Sequence, residues 1–403
     1  MAKKKLLLIS PMLHQGGFER VCVKTARLLE DTLDVTILIF SDEDINYDVT
    51  GLNVVNIDVP SASGRFGKIV NVVKRVSKVR KYKIENNIDY SYSFGSTANI
   101  VNALSGRPGN TKVFTGLRSS WDLDYPGRIR MFVKKSDAII ACSREICDIL
   151  EREYDAKSAR VLYNPVDLDM LTSQADEGLS GDKFFLNETG VKRIVLTGRE
   201  DPAKGYWHMI KAFSVLVKNM PEARLIMAGA GEFKEYRELA EKLGVDKYVS
   251  FTGLLLNPFP CVKSADLYVL SSVIEGYPNA LIEAMALGRP CIAADCRTGP
   301  REILLSDEEY TSLSKDHPSD STPETIMGEY GMLIRDMNGT PDFSDVITDE
   351  DKYFAGEIER FLKDETLLEK YGKKALERAK EMTTSKYMEE LLEIFVSAYQ
   401  SKK

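Results

Sequence analysis

Residues 265–294 hold the stretch that most restricts what this chain can fold into. Ala265-Asp266-Leu267-Tyr268-Val269-Leu270-Ser271-Ser272 reads as a buried strand, and Gly276 and Pro278 then break the chain and open a helix, with Pro278 near its first turn. Gly288 suits the left-handed position beyond the helix end, Pro290 blocks continuation, and Cys291-Ile292-Ala293-Ala294 resumes an apolar strand. Strand, helix and strand in that order make a βαβ unit, which commits the region to a parallel sheet. The turn around Gly276 therefore leaves the carboxyl end of a strand.

In open α/β sheets that end is where ligands bind. The N–H groups of Asn279, Ala280 and Leu281 at the helix start, with a partial charge of about +0.5, favour a phosphate. Glu275 and Glu283 bracket the same turn. Two carboxylates beside a bound anion would repel it, so they fit only as acceptors of hydrogen bonds from neutral hydroxyls, such as those of a ribose and a sugar ring. A nucleotide sugar meets both demands. The plainer alternative makes Glu275 a solvated loop acid and Glu283 a first-turn acid favoured by the helix dipole.

Other segments repeat the strand-and-turn pattern. Ile194-Val195-Leu196-Thr197-Gly198-Arg199 ends in Gly-Arg, with Lys204-Gly205 ahead of a helical run; taken alone, an Arg and a Lys so placed are solvated surface charges. Leu225-Ile226-Met227-Ala228-Gly229-Ala230-Gly231-Glu232 ends in Gly-x-Gly, but a dinucleotide fingerprint needs a third Gly or Ala where Lys234 stands. Tyr248-Val249-Ser250-Phe251-Thr252-Gly253 is a further strand and turn. At the amino terminus, Lys5-Leu6-Leu7-Leu8-Ile9-Ser10 is a short buried strand, and Gly16-Gly17-Phe18-Glu19-Arg20 leads into a helical run through Val21, Val23, Ala26 and Leu29. The glycine pair permits close approach of a ligand or makes an ordinary tight turn. Three lysines ahead of four apolar residues superficially match a signal peptide, yet the apolar run is too short, and Pro11 and His14 end it.

The Glu-x7-Glu segment, followed by Asp295-Cys296-Arg297-Thr298-Gly299-Pro300-Arg301-Glu302-Ile303, resembles the donor site of retaining glycosyltransferase family 4, and the likeness extends over nearly the whole chain. The resemblance implies a GT-B fold: two doubly wound, parallel-sheet Rossmann-like α/β domains facing a cleft. It implies that Glu275 meets the donor sugar's hydroxyls and Glu283 the ribose, while the backbone of Gly276, Tyr277, Pro278, Asn279, Ala280 and Leu281 holds diphosphate. Gly198, Arg199 and Lys204 would form a diphosphate clamp that works without metal. The turn at Gly229 would close over the donor, Leu254 and Leu255 just after the turn at the substrate-binding Gly253 would border the base, and Gly16 and Gly17 would face the phosphates from the first domain. Where many members carry a histidine, Val113-Phe114-Thr115-Gly116-Leu117-Arg118 puts Arg118, a residue suited to neutralising a phosphate on donor or acceptor. His14 would lie beside the glycine loop as a hydrogen-bonding residue. Retention would proceed by same-face attack, since no nucleophile with an adjacent base is evident. The Asp122-Leu123-Asp124 and Asp167-Leu168-Asp169 triplets resemble metal-binding signatures but fall in the first domain, and no metal or other cofactor is expected. Within the family, the glycine start and the Asp295–Ile303 segment look most like bacterial enzymes that extend lipid-linked oligosaccharides or capsule repeats from UDP-hexose or UDP-N-acetylhexosamine.

A chain of 403 residues exceeds what one core usually accommodates. The polar stretch Ser173–Asp182 suggests a boundary near 185, giving an acceptor-side domain over 1–185 and a donor domain over 186–403, with the last helices, about 371–399, crossing back to the first. The composition, 43% hydrophobic and 29% charged, has no apolar run of 18 residues, and the six cysteines include no CxxC pair, which fits a soluble enzyme of the reducing cytoplasm. Residues 1–170 carry 25 Lys and Arg against 21 Asp and Glu, a net of +4, which leaves −11 for the rest of a chain whose total is −7.

Residues 65–83 are the basic extreme: eight Lys and Arg and no acid, with Ile69, Val72, Val73, Val76 and Val79 at helical spacing. Such a helix lies peripherally on an anionic membrane, here the inner face of the plasma membrane, or packs on the core beneath a solvated basic face. Nucleic acid is not expected as a partner, since no basic groove is interleaved with aromatics. Two other functions fit the architecture, a sugar-nucleotide epimerase and a non-catalytic partner that binds a glycan or another transferase. Acceptor-dependent release of UDP separates all three.

Overall fold

The computed structural model of the chain describes residues 2–14, 16–43, 45–61, 63–178, 184–316 and 324–400. They form two compact units, 1–165 with 384–403, and 166–383.

The first unit alternates β1 (Lys5–Ser10), α1 (Gly17–Leu29), β2 (Asp34–Ile39), β3 (Asn53–Asn56), α2 (Arg65–Glu85), β4 (Tyr90–Phe94), α3 (Ser96–Ser105), β5 (Lys112–Leu117), α4 (Pro126–Lys135), β6 (Ala138–Ala141), α5 (Arg144–Tyr154) and β7 (Ala159–Val161). The seven strands are all parallel, in the order β3-β2-β1-β4-β5-β6-β7. Leu6 to Ile9 of β1 are fully buried, as a strand covered on both faces by helices must be. The order reverses between β1 and β4, where α1 and α3 begin.

The second unit holds α6 (Leu168–Asp176), β8 (Lys192–Thr197), α7 (Tyr206–Asn219), β9 (Ala223–Ala228), α8 (Lys234–Lys242), β10 (Val249–Phe251), α9 (Phe259–Lys263), β11 (Leu267–Leu270), α10 (Asn279–Ala286), β12 (Cys291–Ala294), α11 (Pro300–Leu304), α12 (Asp307–Asp316), β13 (Ile326–Met327), β14 (Met332–Ile334), α13 (Asp349–Leu362) and α14 (Glu365–Ala379). Its sheet runs β10-β9-β8-β11-β12-β14-β13, parallel except for the β13–β14 pair at the edge. The reversal recurs between β8 and β11. Trp207, Met209, Ile210 and Phe213 of α7 anchor this core against Ile194, Leu225 and Phe354. Two doubly wound sheets of this kind constitute the GT-B fold expected from the sequence.

The division between the units falls at Pro165, twenty residues before the boundary near 185, and residues 179–183 of the polar stretch lie outside the described residues. The reason is α6. Its exposed polar face reads as a linker, but the helix belongs to the second unit: Asn257 Nδ2 donates to Gln174 O (2.7 Å) and Lys263 pairs with Asp176. The return likewise comes later than residue 371. Helix α14 stays with the second unit, where Tyr371 donates to Gly328 O (2.9 Å) and Arg378 to Glu302 O (2.6 Å), and only α15 (Thr384–Gln400) joins the first. There Tyr387 shares a 2.6 Å hydrogen bond with Thr25, and Phe395 stacks on Tyr90.

Helix α2 divides the basic run into two parts. Arg75, Lys78, Arg80 and Lys83 turn inward to the carbonyls of Val59, Ile57, Ser105 and Gly106. Burial, helped by Arg80 and Arg107, pulls the Lys83 ammonium down to about 7. The amino-terminal turns differ. There Phe66, Ile69 and Val73, at i, i+3 and i+7, stand 81%, 63% and 63% exposed beside Arg65, Lys68 and Lys74. No helix among the described residues is long and apolar enough to cross a membrane.

Candidate functional site

Three loops at the carboxyl edge of the second sheet meet on Glu275. After β8, Asp201 accepts from Ala203 N (3.0 Å) and starts a single 3-10 turn, Pro202–Lys204. Gly205 follows at φ +58, and a β-carbon there would stand 2.2 Å from Ser271 O, so the position requires glycine twice over. Val273 N donates to Ala203 O (2.9 Å) and Ser271 Oγ to Lys204 O (2.9 Å), which sews this loop to the one leaving β11. The third loop, after β12, contributes Thr298 Oγ1, which donates to Glu275 O (2.6 Å). Backbone and side chain are thus fixed separately, for Lys204 Nζ donates to Glu275 Oε1 at 2.7 Å. The two side chains are 22% and 11% exposed, so the ion pair is largely shielded from water.

Most of the other residues singled out in the sequence lie on loops and helix starts of the same unit, and several owe their identity to packing. Pro278 is the N-cap residue of α10, which has no side-chain cap, and Leu281 N donates to Pro278 O (3.1 Å), so that amide, expected to face phosphate, is already used. Glu283 lies half-buried one turn along α10. The Tyr277 side chain points into the unit, its hydroxyl 2.9 Å from Met382 Sδ, and only its backbone belongs to the loop. Arg199 grips Asp201 with two nitrogens (3.1 and 2.8 Å). Burial alone would raise the Asp201 carboxyl, but the bonds from Arg199 and Ala203 outweigh it and hold it below the ordinary range. Gly229 has a structural cause, because a β-carbon there would be 1.7 Å from Gly198 O, and Gly198 N in turn donates to Ala228 O (3.0 Å). Gly253 sits at φ +68 with open space around it, and Leu254 beside it is exposed.

Sequence reasoning missed the support beneath the pair. Arg301 clasps Asp295 through two bonds of 2.6 and 2.8 Å, both side chains buried, at the end of β12. Asp336, just beyond β14, is pushed up to about 7 by burial, with Asp295 and Glu350 adding to the shift. Burial, then Glu275, Asp336 and Asp295, raise the Cys296 thiol, which places those three carboxylates around one sulfur. The Asp295 and Arg301 positions were in plain view in the sequence, but their spacing of six across a strand, a turn and a helix matches no periodic signal.

In the first unit, Tyr47 bridges Gly16, accepting from its N–H (3.0 Å) and donating to its carbonyl (2.7 Å), and Gly17 begins α1. A β-carbon on Gly16 would be 2.1 Å from Glu19 Oε2, so here too the glycine admits the chain's own carboxylate. His14 stands half-buried in the bend before it. Arg118 leaves β5 and donates to Asn164 Oδ1 (2.8 Å) and to the Tyr92 hydroxyl. The acidic triplets have structural duties: Asp122 accepts from Ser96 and from Arg118 N, and Asp167 caps α6 through Met170 N (3.1 Å).

Residues 15–170 match the family profile described as Glycosyltransferase Family 4, and residues 191–322 match that described as Glycosyl transferases group 1. The chain belongs to the glycosyltransferases of family 4 type. An uncharacterized glycosyltransferase of Methanocaldococcus jannaschii is 28% identical over 79% of this chain and 82% of its own length. A Campylobacter jejuni enzyme named as an N-acetylgalactosamine-N,N'-diacetylbacillosaminyl-diphospho-undecaprenol 4-alpha-N-acetylgalactosaminyltransferase is 24% identical over 94% and 95%. Among solved structures, Anabaena Alr3699/HepE, crystallised with UDP and with UDP-glucose, superposes with a TM-score of 0.72 at 18% identity over 98% of this chain and 99–100% of that one. The family assignment makes this transferase's Lys204–Glu275 pair the first place to look for donor chemistry.

Proposed function

We propose that this transferase moves a hexose or N-acetylhexosamine from a UDP-sugar to a hydroxyl of a lipid-linked glycan, with retention of configuration. The observation that carries the reading is the Lys204–Glu275 ion pair, held by three loops at the carboxyl edge of the second sheet. On donor binding, Lys204 and Arg199 turn to the diphosphate, joined by the backbone of Gly198 and of residues 276–280, and Glu275 accepts hydrogen bonds from the sugar. Glu283 takes the ribose hydroxyls, and Leu254 and Leu255, after the turn at Gly253, border the base. The bond from the anomeric carbon to the phosphate oxygen breaks first, leaving an oxocarbenium-like sugar. The acceptor oxygen then bonds to the same face while its proton passes to the departing phosphate oxygen, giving UDP. Negative charge gathering on the leaving group is met by two cations and a helix start, so the reading assigns no role to metal.

UDP and UDP-glucose in the Alr3699/HepE crystals and the diphospho-undecaprenol acceptor named for the Campylobacter relative support the donor and acceptor classes. The exposed apolar and basic turns of α2 support a peripheral position on the inner face of the plasma membrane. The test is a coupled assay with lipid-linked glycans and a panel of UDP-sugars. UDP release should equal acceptor consumption, survive a chelator of divalent cations, and give a product whose anomeric configuration by NMR matches the donor's. Conversion of the UDP-sugar without acceptor would identify an epimerase, and binding without turnover a non-catalytic partner.

A further inference from the structure

The loop leaving β5 combines a guanidinium without a counter-ion and two large aromatic rings open to solvent. Arg118 has three hydrogen-bond partners, Asn164, Tyr92 and Tyr387, and its Nε is buried 3.4 Å from where a β-carbon on Gly116 would stand. All three partners are neutral. Burial raises the Tyr92 and Tyr387 hydroxyls and the neighbouring Cys22 thiol above their ordinary values, so none of them supplies an anion. Among the described residues no carboxylate pairs with the guanidinium, for Asp122 spends its oxygens on Ser96 Oγ and on the main-chain N–H of Arg118. Burial opposes its charge, but Tyr92, Tyr387 and Cys142 outweigh that, so the guanidinium stays charged with no described carboxylate bonded to it. The residue is half-buried, and three partners leave at least one outer N–H of the fork uncommitted.

Trp121 follows three residues later, 54% exposed, and Tyr125 is 49% exposed. The loop beneath them is fixed: Trp121 N donates to Ser119 Oγ (3.3 Å), Asp122 is anchored on both oxygens, and the Arg128 guanidinium lies 4.0 Å over the Tyr125 ring. An indole open to solvent is a platform for the C–H face of a sugar ring, and three residues of chain keep the Trp121 Cα within about 11 Å of that of Arg118. We propose that residues 118–125 form the first unit's glycan subsite, with Trp121 stacking on a sugar ring and Arg118 holding a negative charge, phosphate or carboxylate, on the same ligand. This rests on the transferase reading and narrows it, making the acceptor an anionic glycan.

The chain has two tryptophans, and Trp207 is buried in the second core, so a ligand-induced change in emission reports Trp121. The full chain, saturated with UDP to fill the diphosphate site, is titrated with glucose 1-phosphate, methyl glucuronide and methyl glucoside. At least one anionic sugar should quench or shift the emission and bind at least tenfold more tightly than the neutral glucoside, and whichever binds better identifies the charge as phosphate or carboxylate. The response should vanish in Trp121→Phe, and Arg118→Gln should lose the anionic preference while still binding the glucoside. Arg118→Lys, which keeps the charge but not the planar fork, replaces the Gln variant if that fails to fold, and should bind the anionic sugar more weakly than the parent. Equal binding of charged and neutral sugars overturns the role of Arg118, and an unchanged emission with all three sugars overturns the subsite. UDP affinity measured by calorimetry on the same samples reports the second unit separately, so a failed subsite leaves the donor reading standing and a failed donor site shows as lost UDP binding.

Discussion

Replacing Glu275 by Ala tests the donor site most sharply, because the structure gives it two opposite effects. The carboxylate sits 2.7 Å from Lys204 Nζ, and that lysine must leave it to reach a diphosphate. A partly exposed pair of this kind is worth about 1 kcal/mol, so freeing Lys204 should leave UDP affinity unchanged or tighten it by up to roughly fivefold. Transfer should move the other way. Two hydrogen bonds from a carboxylate to sugar hydroxyls, at about 1.5–3 kcal/mol each, make about 3–6 kcal/mol, or a loss of roughly 10²–10⁴ in kcat/KM. The fold should survive, since Thr298 holds the main-chain carbonyl of residue 275 and not its side chain. Calorimetry with UDP and an acceptor-dependent UDP-release assay measure both quantities on one preparation. Either a tenfold weaker affinity for UDP or near-normal kcat/KM in Glu275→Ala would refute the exchange of partners, and Lys204→Ala, which should weaken UDP about tenfold or more, provides the control.

The remaining predictions concern stability and location. Arg301→Met strands the buried Asp295 carboxylate, at about 3–5 kcal/mol, and should lower the melting temperature by roughly 10 °C; a change of under 2 °C in a calorimetric scan would count against the pair as a support of the site. The Asp336 carboxyl, pushed up to about 7 by burial, is raised above its unfolded value, so the folded state holds the extra proton and stability falls as pH rises from about 4 to about 7. Asp336→Asn should remove that slope, so that the melting temperature of the variant minus that of the parent grows between pH 5 and pH 8, and a flat difference would show that the carboxyl is not titrating there. Serine at Phe66, Ile69 and Val73 together should weaken binding to phosphatidylglycerol vesicles roughly a hundredfold without altering binding to UDP; equal sedimentation of variant and parent with vesicles would remove α2 from the membrane reading.

Much of the fold was legible because parallel strands buried on both faces are short apolar runs punctuated by glycine, as in Leu6–Ile9 and Leu267–Leu270, and that signal survives without any knowledge of neighbours. The unit boundary was not. Helix α6 has the composition of a linker, and only its bonds to Asn257 and Lys263 reveal which core it serves. Within the site, Glu275, Lys204 and the α10 start were readable because each sits at a strand–turn–helix junction. The glycines were half-readable: at 16 and 229 a side chain is excluded, but the close approach is made by Glu19 and by Gly198 O. Sequence shows that a β-carbon is forbidden and leaves open what would strike it.

Capping sorts the helices only in part, since α2, α4, α8, α9 and α11 also begin without a side-chain cap. Helices α5, α6, α13 and α14 begin with Ser143, Asp167, Thr348 and Asp364, each accepting from a first-turn amide. Helices α1, α3, α7 and α10 begin after Gly16, Gly95, Gly205 and Pro278, and no side-chain cap is present at any of them. These four are the helices that follow β1, β4, β8 and β11, the pairs of strands between which each sheet reverses its order. A Ser, Asp or Thr at such an end would add about 1 kcal/mol of stability over an uncapped one, and the chain forgoes it at all four places where a crevice opens beyond the strands. Glycine and proline there offer the first-turn amides no side-chain oxygen of their own, which is compatible with an anionic ligand. In the first unit Glu19 and Asp122 stand close to two of these ends. In the second, Lys204, just before the α7 start, bonds Glu275, just before the α10 start, so one cation links the two loops.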